Sequence, residues 1–302
     1  MTNNSKNVAV VGLGAMSYGI AVSALRGGHR VWGADISSDH VARFQAEGGQ
    51  GGALTNAAGD LDAVAIVVLN TAQTNSVIFG VDGIVARLRS GAVVVACATA
   101  PSAFEREMSV RCAADGILYL DAPISGGAAK AASGKLSIVA SGTPDALTVS
   151  QPFLDSIAEI VFELGGEAGT GSAMKAVNLL LAGVNIATMA EALTFGMTQG
   201  LAPEKFVEVI SKCASTSWMM ENRTPHIVLG DCTLLNSVII WPKDLGIVLN
   251  IARSARFSPP ITALAMRQFL AAVGMGLGQE DDAAVAKVYT RSARLALAGE
   301  DK

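Results

Sequence analysis

The stretch NVAVVGLGAMS at residues 7–17 decides the fold, because its pattern is typical of a strand, a tight glycine turn and a helix in succession. Gly12 permits the tight turn, and Gly14 lets a backbone N–H approach a phosphate held at the helix N-terminus. Ser17 stands where the usual GxGxxG pattern has its third glycine, and we expect only a small change in helix packing from it. The turn therefore predicts a dinucleotide pyrophosphate site at residues Gly12, Leu13, Gly14, Ala15 and Met16.

Asp35 ends the next candidate strand, RVWGAD at residues 30–35. A carboxylate at this position accepts hydrogen bonds from an adenosine ribose and repels a 2′-phosphate. The following residues, Ile36, Ser37 and Ser38, include no arginine to hold such a phosphate. The pattern predicts NAD rather than NADP as the cofactor. The alternative is that Asp35 is an ordinary turn or helix-capping residue.

Short apolar runs alternate with helical patterns through the first half of the chain. The candidate strands lie at residues 7–12, 30–35, 63–69, 92–98, 118–123 and 136–141, with a further edge-strand candidate at 158–164. Helical patterns lie between most of them, for example at 15–27, 38–47 and 101–115. Because these runs suit burial on both faces, they indicate an α/β fold with a Rossmann-type, doubly wound parallel sheet.

Strand patterns nearly vanish after residue 171. Helical patterns follow at residues 172–199, 203–213, 216–222, 242–256, 260–275 and 282–297. We therefore predict an NAD-binding domain at residues 1–168 and an all-helical substrate and oligomerisation domain at 169–302, joined by the long helix. Because that helix is more apolar than one small domain can cover, we expect a homodimer or homotetramer.

Lys175 stands alone in the glycine-rich helix start GTGSAMK at residues 169–175. The next fifteen residues, 176–190, carry no charge. A lysine at the start of a buried apolar helix loses hydration, which favours its neutral form and suits it to proton transfer near neutral pH. The alternative is a solvated lysine at a helix start.

Two further segments are candidates for the site. The segment DAPISGG at residues 121–127 follows a strand, and Ser125, Gly126 and Gly127 form a loop suited to a carboxylate. The alternative is an ordinary Pro/Gly turn. Lys243, in KDLGIVL at residues 243–249, offers positive charge beside a cofactor or substrate, or else marks a solvated helix start.

The composition excludes several classes of protein. At 302 residues, with 51% hydrophobic and 16% charged residues, the chain is long and apolar enough for a sizeable core rather than disorder. A net charge of −4 gives no electrostatic case for nucleic-acid binding. The longest charge-free apolar run falls short of about 18–20 residues, so we reject a membrane span. No signal peptide is visible, and we expect a cytoplasmic protein.

The cysteines and histidines show no spacing typical of a metal site, a disulfide framework or a nucleophile paired with a base. We expect buried or idle thiols in a reducing compartment and histidines at the surface or in loops. The residues concerned are Cys97, Cys112, Cys213, Cys232, His29, His40 and His226.

Four segments together resemble the β-hydroxyacid dehydrogenases, relatives of 3-hydroxyisobutyrate and 6-phosphogluconate dehydrogenases. They are GLGAMSYGIA, DAPISGGAAKAASG, GEAGTGSAMKAVN and KDLGIVLNIA, in the family's order and spacing over almost the whole chain. The resemblance implies that Lys175 is the general acid/base and that residues 125–127 bind the substrate carboxylate. It also places Leu69, Asn70, Thr99 and Lys243 beside the cofactor.

Two positions depart from the family pattern. Asn70 stands where a proline is common, and Leu179 stands where an asparagine usually follows the lysine by four residues. Asn178 lies on the same helix face as Lys175, so we expect it to contact the substrate in place of that asparagine.

Within the family, GDLDAVAIVVLN (59–70), LLAGVNIA (180–187) and TSWMMENR (216–223) resemble the L-threonate dehydrogenase subfamily in particular. The resemblance implies NAD-dependent oxidation of a small hydroxy acid, such as L-threonate, to the keto acid. A reductase of tartronate semialdehyde or another semialdehyde shares every motif and stays open. A non-catalytic NAD-binding protein is a more remote alternative.

Overall fold

The computed structural model describes residues 5–230 and 236–297, so Cys232 lies outside the described residues. The chain divides into two compact units, Met1–Lys175 and Ala176–Lys302. The first unit contains the sheet, and the second is helical. The predicted fold class, a Rossmann-type α/β domain followed by an all-helical one, is confirmed.

The sheet of the first unit runs in the order β2-β1-β3-β4-β5-β7-β6, with β8 paired to β7. Its strands are β1 (Asn7–Val11), β2 (Arg30–Ala34), β3 (Ala63–Ile66), β4 (Val93–Ala96), β5 (Leu118–Asp121), β6 (Ile124–Ser125), β7 (Leu136–Gly142) and β8 (Ala158–Glu163). The chain moves from β1 to β2 on one side and to β3 on the other, which places the topological switch point between β1 and β3.

The pairing of β7 corrects one detail of the prediction. Strands β1 to β5 are mutually parallel, and so are β7 and β8. However, β7 runs antiparallel to both β5 and β6. The strand β6 was not expected, because its two residues lie inside a segment whose proline and glycines predict a turn.

Helices cover both faces of the sheet. They are α1 (Ala15–Arg26), α2 (Ser38–Ala46), α3 (Leu54–Ala57), α4 (Thr71–Phe79), α5 (Ser102–Ala114), α6 (Gly127–Ala132) and α7 (Pro144–Ile157). Alternate residues of β1 point to opposite faces: Val8 and Val10 join one apolar cluster, and Ala9 joins another. The first cluster includes α1 and α7, and the second includes α4 and α5. Burial on both faces explains the continuous apolar runs of these strands.

The long helix α8 (Thr170–Thr198) begins in the first unit and continues through the second. The helices after it are α9 (Pro203–Ile210), α10 (Trp218–Leu229), α11 (Ile240–Ser254), α12 (Pro260–Gly274) and α13 (Ala286–Ser292). The helix α10 continues past Pro225, beyond its predicted end at residue 222. The predicted helix 282–297 is shorter, comprising a 3₁₀ turn at Asp282–Val285 and then α13.

By length and composition, α8 is the one helix among residues 5–230 and 236–297 that is apolar enough to cross a membrane. Of its most apolar 18-residue window, 44% is buried inside the protein. Ile186, Ala190 and Leu193 belong to the core of the helical unit. A core helix of a folded domain passes the same test of composition.

Glu105 of α5 is an acidic side chain fully buried in the first unit. One carboxyl oxygen accepts a hydrogen bond from the hydroxyl of Tyr119 at 2.6 Å, and the other has no hydrogen-bond partner among the described residues. Burial first, and then the charge of Asp121, raise the pKa of Glu105 to about 8 against the opposing effect of Tyr119. Glu105 therefore holds a proton at neutral pH.

This buried carboxyl predicts a pH-dependent stability. The pKa of Glu105 is higher in the folded chain than its ordinary value of 4.5. The contribution of Glu105 to the free energy of unfolding therefore falls as the pH rises from about 4.5 through about 8. We expect the melting temperature of Glu105→Gln to decline less over this range than that of the wild type, by roughly 5–10 °C. Glu107→Gln, at an exposed position on the same helix, is the control. If the melting temperatures of wild type and Glu105→Gln changed with pH in the same way, the raised pKa of Glu105 would be contradicted.

Candidate active site

The glycine turn lies at the carboxyl edge of the sheet, between the ends of β1 and β3. Gly12 has a φ of +95°, and a Cβ there would lie 2.3 Å from the carbonyl oxygen of Val67. A side chain at this position is therefore both strained and blocked. At Gly14 the nearest atom to an added Cβ is the hydroxyl of Ser17 at 3.8 Å, so the turn is open on that side.

The first turn of α1 has the features of an anion site. Gly14 is its N-cap, and no side chain accepts a hydrogen bond from the amides that follow. Gly14 and Ala15 are exposed, Met16 is half-buried and Leu13 is buried. The amides of a helix start and the positive end of the helix dipole favour a phosphate here. Buried Ser17 fits the third-glycine position, with its hydroxyl 3.4 Å from the carbonyl of Gly14.

Asp35, just past β2, is joined to the glycine turn. One carboxylate oxygen accepts the N–H of Leu13 at 2.6 Å, and the other accepts the N–H of Ser37 at 2.8 Å. Burial raises the pKa of Asp35, but the bonds from Ser37, Leu13 and His40 outweigh it, so the pKa lies below its usual value. The oxygen that accepts the N–H of Leu13 keeps a lone pair for a ribose hydroxyl. The donors at the start of α1 and the acceptor at Asp35 have the chemistry that the pyrophosphate and the ribose of NAD require.

His40 keeps the predicted surface position but makes an unexpected contact, whereas His29 differs from the prediction. His40 of α2 is partly exposed, but its Nδ1 lies 3.4 Å from the carboxylate of Asp35. Its position five residues after Asp35, across a helix start, was the only sequence signal for this contact. His29 is buried; its Nδ1 accepts the N–H of Lys6, and its Nε2 lies 3.0 Å from the carbonyl of Pro152.

The ends of β3 and β4 reach the same edge of the sheet. Asn70 caps α4, since its side-chain oxygen accepts the N–H of Gln73 at 2.9 Å. The side chain of Gln73 in turn accepts the N–H of Leu69, whose own side chain is exposed. Thr99 is half-buried in the segment after β4. The capping bond gives Asn70 a structural role at the start of α4.

The segment at residues 125–127 turns sharply between β6 and α6. Gly126 has a φ of +135° and Gly127 a φ of +75°, a pair of conformations that favours glycine at both positions. No side chain caps α6, and Ser125 is half-buried. Successive amides in such a turn form a concave site for a carboxylate.

Lys175 lies one turn into α8 and is half-buried. Its Nζ donates a hydrogen bond to the carbonyl oxygen of Ile124 at 2.8 Å. Ile124 directly precedes Ser125, so the amine lies beside the loop of residues 125–127. The structure thus brings together two segments, DAPISGG and GTGSAMK, that are about 50 residues apart in the chain.

The remaining predicted residues belong to the helical unit. Asn178 is exposed one turn after Lys175 on α8, whereas Leu179 is buried in the core of that unit. Asn178, rather than Leu179, therefore has an accessible side chain. Lys243 of α11 is partly exposed, with its Nζ 3.1 Å from the carboxylate of Asp244.

Comparison with known proteins identifies the family. Residues 7–166 match the NAD binding domain of 6-phosphogluconate dehydrogenase, and residues 169–289 match the family described as NAD-binding of NADP-dependent 3-hydroxyisobutyrate dehydrogenase. The chain therefore belongs to the β-hydroxyacid dehydrogenase family, whose members are NAD-dependent or NADP-dependent enzymes acting on CH–OH donors.

Individual relatives cover nearly the whole chain. L-threonate dehydrogenase of Cupriavidus necator is 43% identical over 286 residues, which is 94% of this chain and 96% of that protein. L-threonate dehydrogenase of Escherichia coli K12 is 39% identical over 96% of each chain. A crystal structure of 3-hydroxyisobutyrate dehydrogenase from Salmonella typhimurium has a TM-score of 0.84 and 40% identity, covering 94% of this chain and 100% of that one.

The geometry at Asp35 generates a prediction about the cofactor. Asp35→Asn keeps an oxygen as acceptor but removes the negative charge that opposes a 2′-phosphate. We expect the ratio of kcat/KM with NAD to kcat/KM with NADP to fall about tenfold, which corresponds to ~1.4 kcal/mol. Asp39→Asn, at an exposed position in the next helix, should leave the ratio unchanged. A wild-type enzyme that prefers NADP would refute the role of Asp35.

Proposed function

We propose that this protein is an NAD-dependent dehydrogenase that oxidises a small sugar acid, with L-threonate as the leading candidate, to the keto acid. The support for this substrate is the identity of 39–43% to L-threonate dehydrogenases over nearly the full chain. In this proposal, residues 1–168 bind NAD, and residues 169–302 contribute to substrate binding and to assembly.

The loop of Ser125, Gly126 and Gly127 binds the substrate carboxylate in this proposal. The serine hydroxyl and the amides after it supply hydrogen-bond donors, and the two glycines hold the turn open. The position of Asn178, three residues after Lys175 on one helix face, suits it to a substrate hydroxyl. We assign Lys243 and the residues at the ends of β3 and β4, namely Leu69, Asn70 and Thr99, to the cofactor.

Lys175 is the general acid/base, and one observation carries this assignment. Its Nζ lies 2.8 Å from the carbonyl of Ile124, directly beside the loop that would hold the carboxylate. In the oxidation, neutral Lys175 takes the proton from the substrate hydroxyl as the C–H bond breaks, and in reduction its ammonium returns that proton. Bound NAD supplies the hydride acceptor. General acid–base catalysis of this kind accelerates a reaction by roughly 10²–10⁴-fold.

The choice of NAD over NADP rests on Asp35. Its carboxylate is held by two amides and its pKa is lowered, so it is charged at neutral pH. A negative charge where the adenosine ribose binds opposes a 2′-phosphate. The second family match carries NADP in its description, and this residue is the reason to expect NAD in the present chain.

The role of Lys175 predicts that Lys175→Met lowers kcat by about 10²–10⁴-fold while NAD binding stays near the wild-type value. The assay is NADH formation over a panel of C3–C6 sugar acids and 2- or 3-hydroxy acids, including L-threonate, together with NADH consumption by tartronate semialdehyde. Lys135→Met, at an exposed lysine of the same unit, is the matched control. A Lys175→Met variant with near-normal kcat would refute the mechanism, and NAD binding without turnover on any substrate would support a non-catalytic protein.

We also propose that two or four copies assemble through the helical unit. Along α8, the large apolar side chains of Val177, Leu181 and Phe195 are 53%, 55% and 67% exposed. Val177 and Leu181 lie one turn apart, and Phe195 lies farther along the same helix. Large exposed apolar side chains of this kind are typical of a surface covered by another chain.

This proposal predicts the effect of a charge at the exposed face. Phe195→Glu should reduce the mass of the particle in light scattering, because a charge at that position disfavours burial of the face, while circular dichroism shows that the chain stays folded. Glu191→Gln, at an exposed polar position on the same helix, should leave the mass unchanged. A monomeric wild-type protein would refute the proposal.

We place the protein in the cytoplasm. Cys97 and Cys112 are buried free thiols, and Cys213 is an exposed free thiol. Free thiols persist in a reducing compartment.

A further inference from the structure

Asp121, the last residue of β5, is fully buried and accepts four hydrogen bonds. Two come from backbone amides at the start of α8, Gly169 and Ser172, each at 2.9 Å. The other two come from side-chain hydroxyls, Ser172 at 2.7 Å and Ser141 at 3.1 Å. Asp121 therefore caps the N-terminus of α8 from a strand about 50 residues earlier in the chain.

The backbone of α8 lies directly against the strand ends at this point. The N–H of Gly171 donates to the hydroxyl of Ser141 at 2.9 Å, which itself donates to Asp121. A Cβ on Gly171 would lie 2.5 Å from the carbonyl oxygen of Val139. The first turn of α8 thus has little freedom to shift along or around its axis while Asp121 is in place.

Asp121 and the proposed catalytic lysine act on the same two segments. Asp121 and Ile124 are three residues apart, and so are their partners on α8, Ser172 and Lys175. The segments are thus joined at two points, by the bonds of Asp121 to the helix start and by the bond of Lys175 to Ile124. The amine of Lys175 must be free to exchange a proton, so its bond to Ile124 cannot stay fixed during the reaction. The bonds of Asp121 to the start of α8 can.

The hydrogen bonds around Asp121 favour its charged form over that of Glu105. The neighbouring carboxyl of Glu105 has one hydrogen-bond donor, whereas Asp121 has four. Like charges in a buried site disfavour ionisation of both groups, so the one with more donors keeps the charge. A carboxylate at the positive end of a 29-residue helix is further stabilised by the helix dipole.

We infer that Asp121 is a positioning residue of the reaction, whose buried carboxylate holds the first turn of α8 so that the Nζ of Lys175 lies at the carboxylate loop. This inference rests on the proposed role of Lys175. Asp121 does not touch substrate, because it is fully buried. A displacement of a reacting group by about 1 Å costs on the order of 10²-fold in rate, so the cap acts on kcat.

The test is a double-mutant cycle in kcat, measured on the full-length protein with NAD and L-threonate, or with the hydroxy acid that is oxidised fastest. Ser172→Ala removes one donor to Asp121 and leaves the lysine in place. We expect kcat to fall about tenfold with the KM for NAD unchanged, and Ser172→Thr to restore most of the rate. In a Lys175→Met background, Ser172→Ala should lower the residual rate by no more than about twofold, since no lysine remains to be positioned.

The control is Ser150→Ala, which removes a buried helix serine of the same unit that bonds to the carbonyl of Ala146. Its kcat should equal that of the wild type. Asp121→Asn is the stronger variant, with an expected loss of about 10²-fold in kcat. Because that variant can fail to fold, which circular dichroism reports, the decision rests on the Ser172 cycle.

The outcomes separate the two proposals. An equal loss from Ser172→Ala in both backgrounds, or no loss in the wild-type background, overturns the role of Asp121 while Lys175 remains catalytic. A near-normal kcat for Lys175→Met alone refutes the proposed function instead. If Ser172→Ala lowers kcat in the wild-type background only, and Ser172→Thr restores the rate, the positioning role of Asp121 is supported.

Discussion

The structure depends on one buried carboxylate at the start of its longest helix. Burial raises the pKa of Asp121, and the donors of Ser172, Gly169 and Ser141 oppose that shift. A carboxylate in such a place is costly unless its oxygens are fully hydrogen-bonded, and here the donors belong to two different segments. Satisfying the charge therefore requires the end of β5, the strand β7 and the start of α8 to meet in one arrangement. The same arrangement brings Lys175 to Ile124.

Glycines allow the backbone contacts on which this arrangement depends. At Gly12 and Gly171, an added Cβ would lie 2.3 Å and 2.5 Å from carbonyl oxygens of neighbouring strand segments. Both are places where a helix starts against the carboxyl edge of the sheet, one on α1 and one on α8. A glycine there permits the helix N-terminus to approach the strand ends, which is also where ligands bind in open α/β sheets. Helix starts and candidate binding residues thus coincide for a steric reason.

Much of the fold was predictable because its signals are local. The runs at 7–12 and 30–35 became strands β1 and β2, and the long helix was predicted at 172–199 and found at 170–198. The strand β7 was predicted at 136–141, but its antiparallel direction was not, because strand direction is set by distant pairing. The cap by Asp121 was missed for the same reason, because it depends on how separate segments meet. The contact of His40 with Asp35 is local, but a five-residue spacing across a helix start does not predict it. The family motifs gave the candidate residues, whose chemical roles stay predictions.

The helical unit contains a second buried, hydrogen-bonded carboxylate, that of Asp282. The run QEDD at residues 279–282 suggests simple charge complementing a helix start, and Asp281 does cap the turn by accepting the N–H of Ala283. Asp282, however, is fully buried, where it accepts bonds from Arg223, Asn236 and the indole N–H of Trp241. Burial raises the pKa of Asp282, and Arg223 and then Trp241 oppose the shift.

Trp241 lies in the first turn of α11, two residues before Lys243. Asp282 therefore fixes the start of the helix that carries Lys243, as Asp121 fixes the start of the helix that carries Lys175. A lysine side chain is long and flexible. The position of its amine therefore depends on how firmly the backbone that carries it is held. In each unit, a hydrogen-bonded buried acid contacts the helix start within one turn of a lysine to which we propose a role.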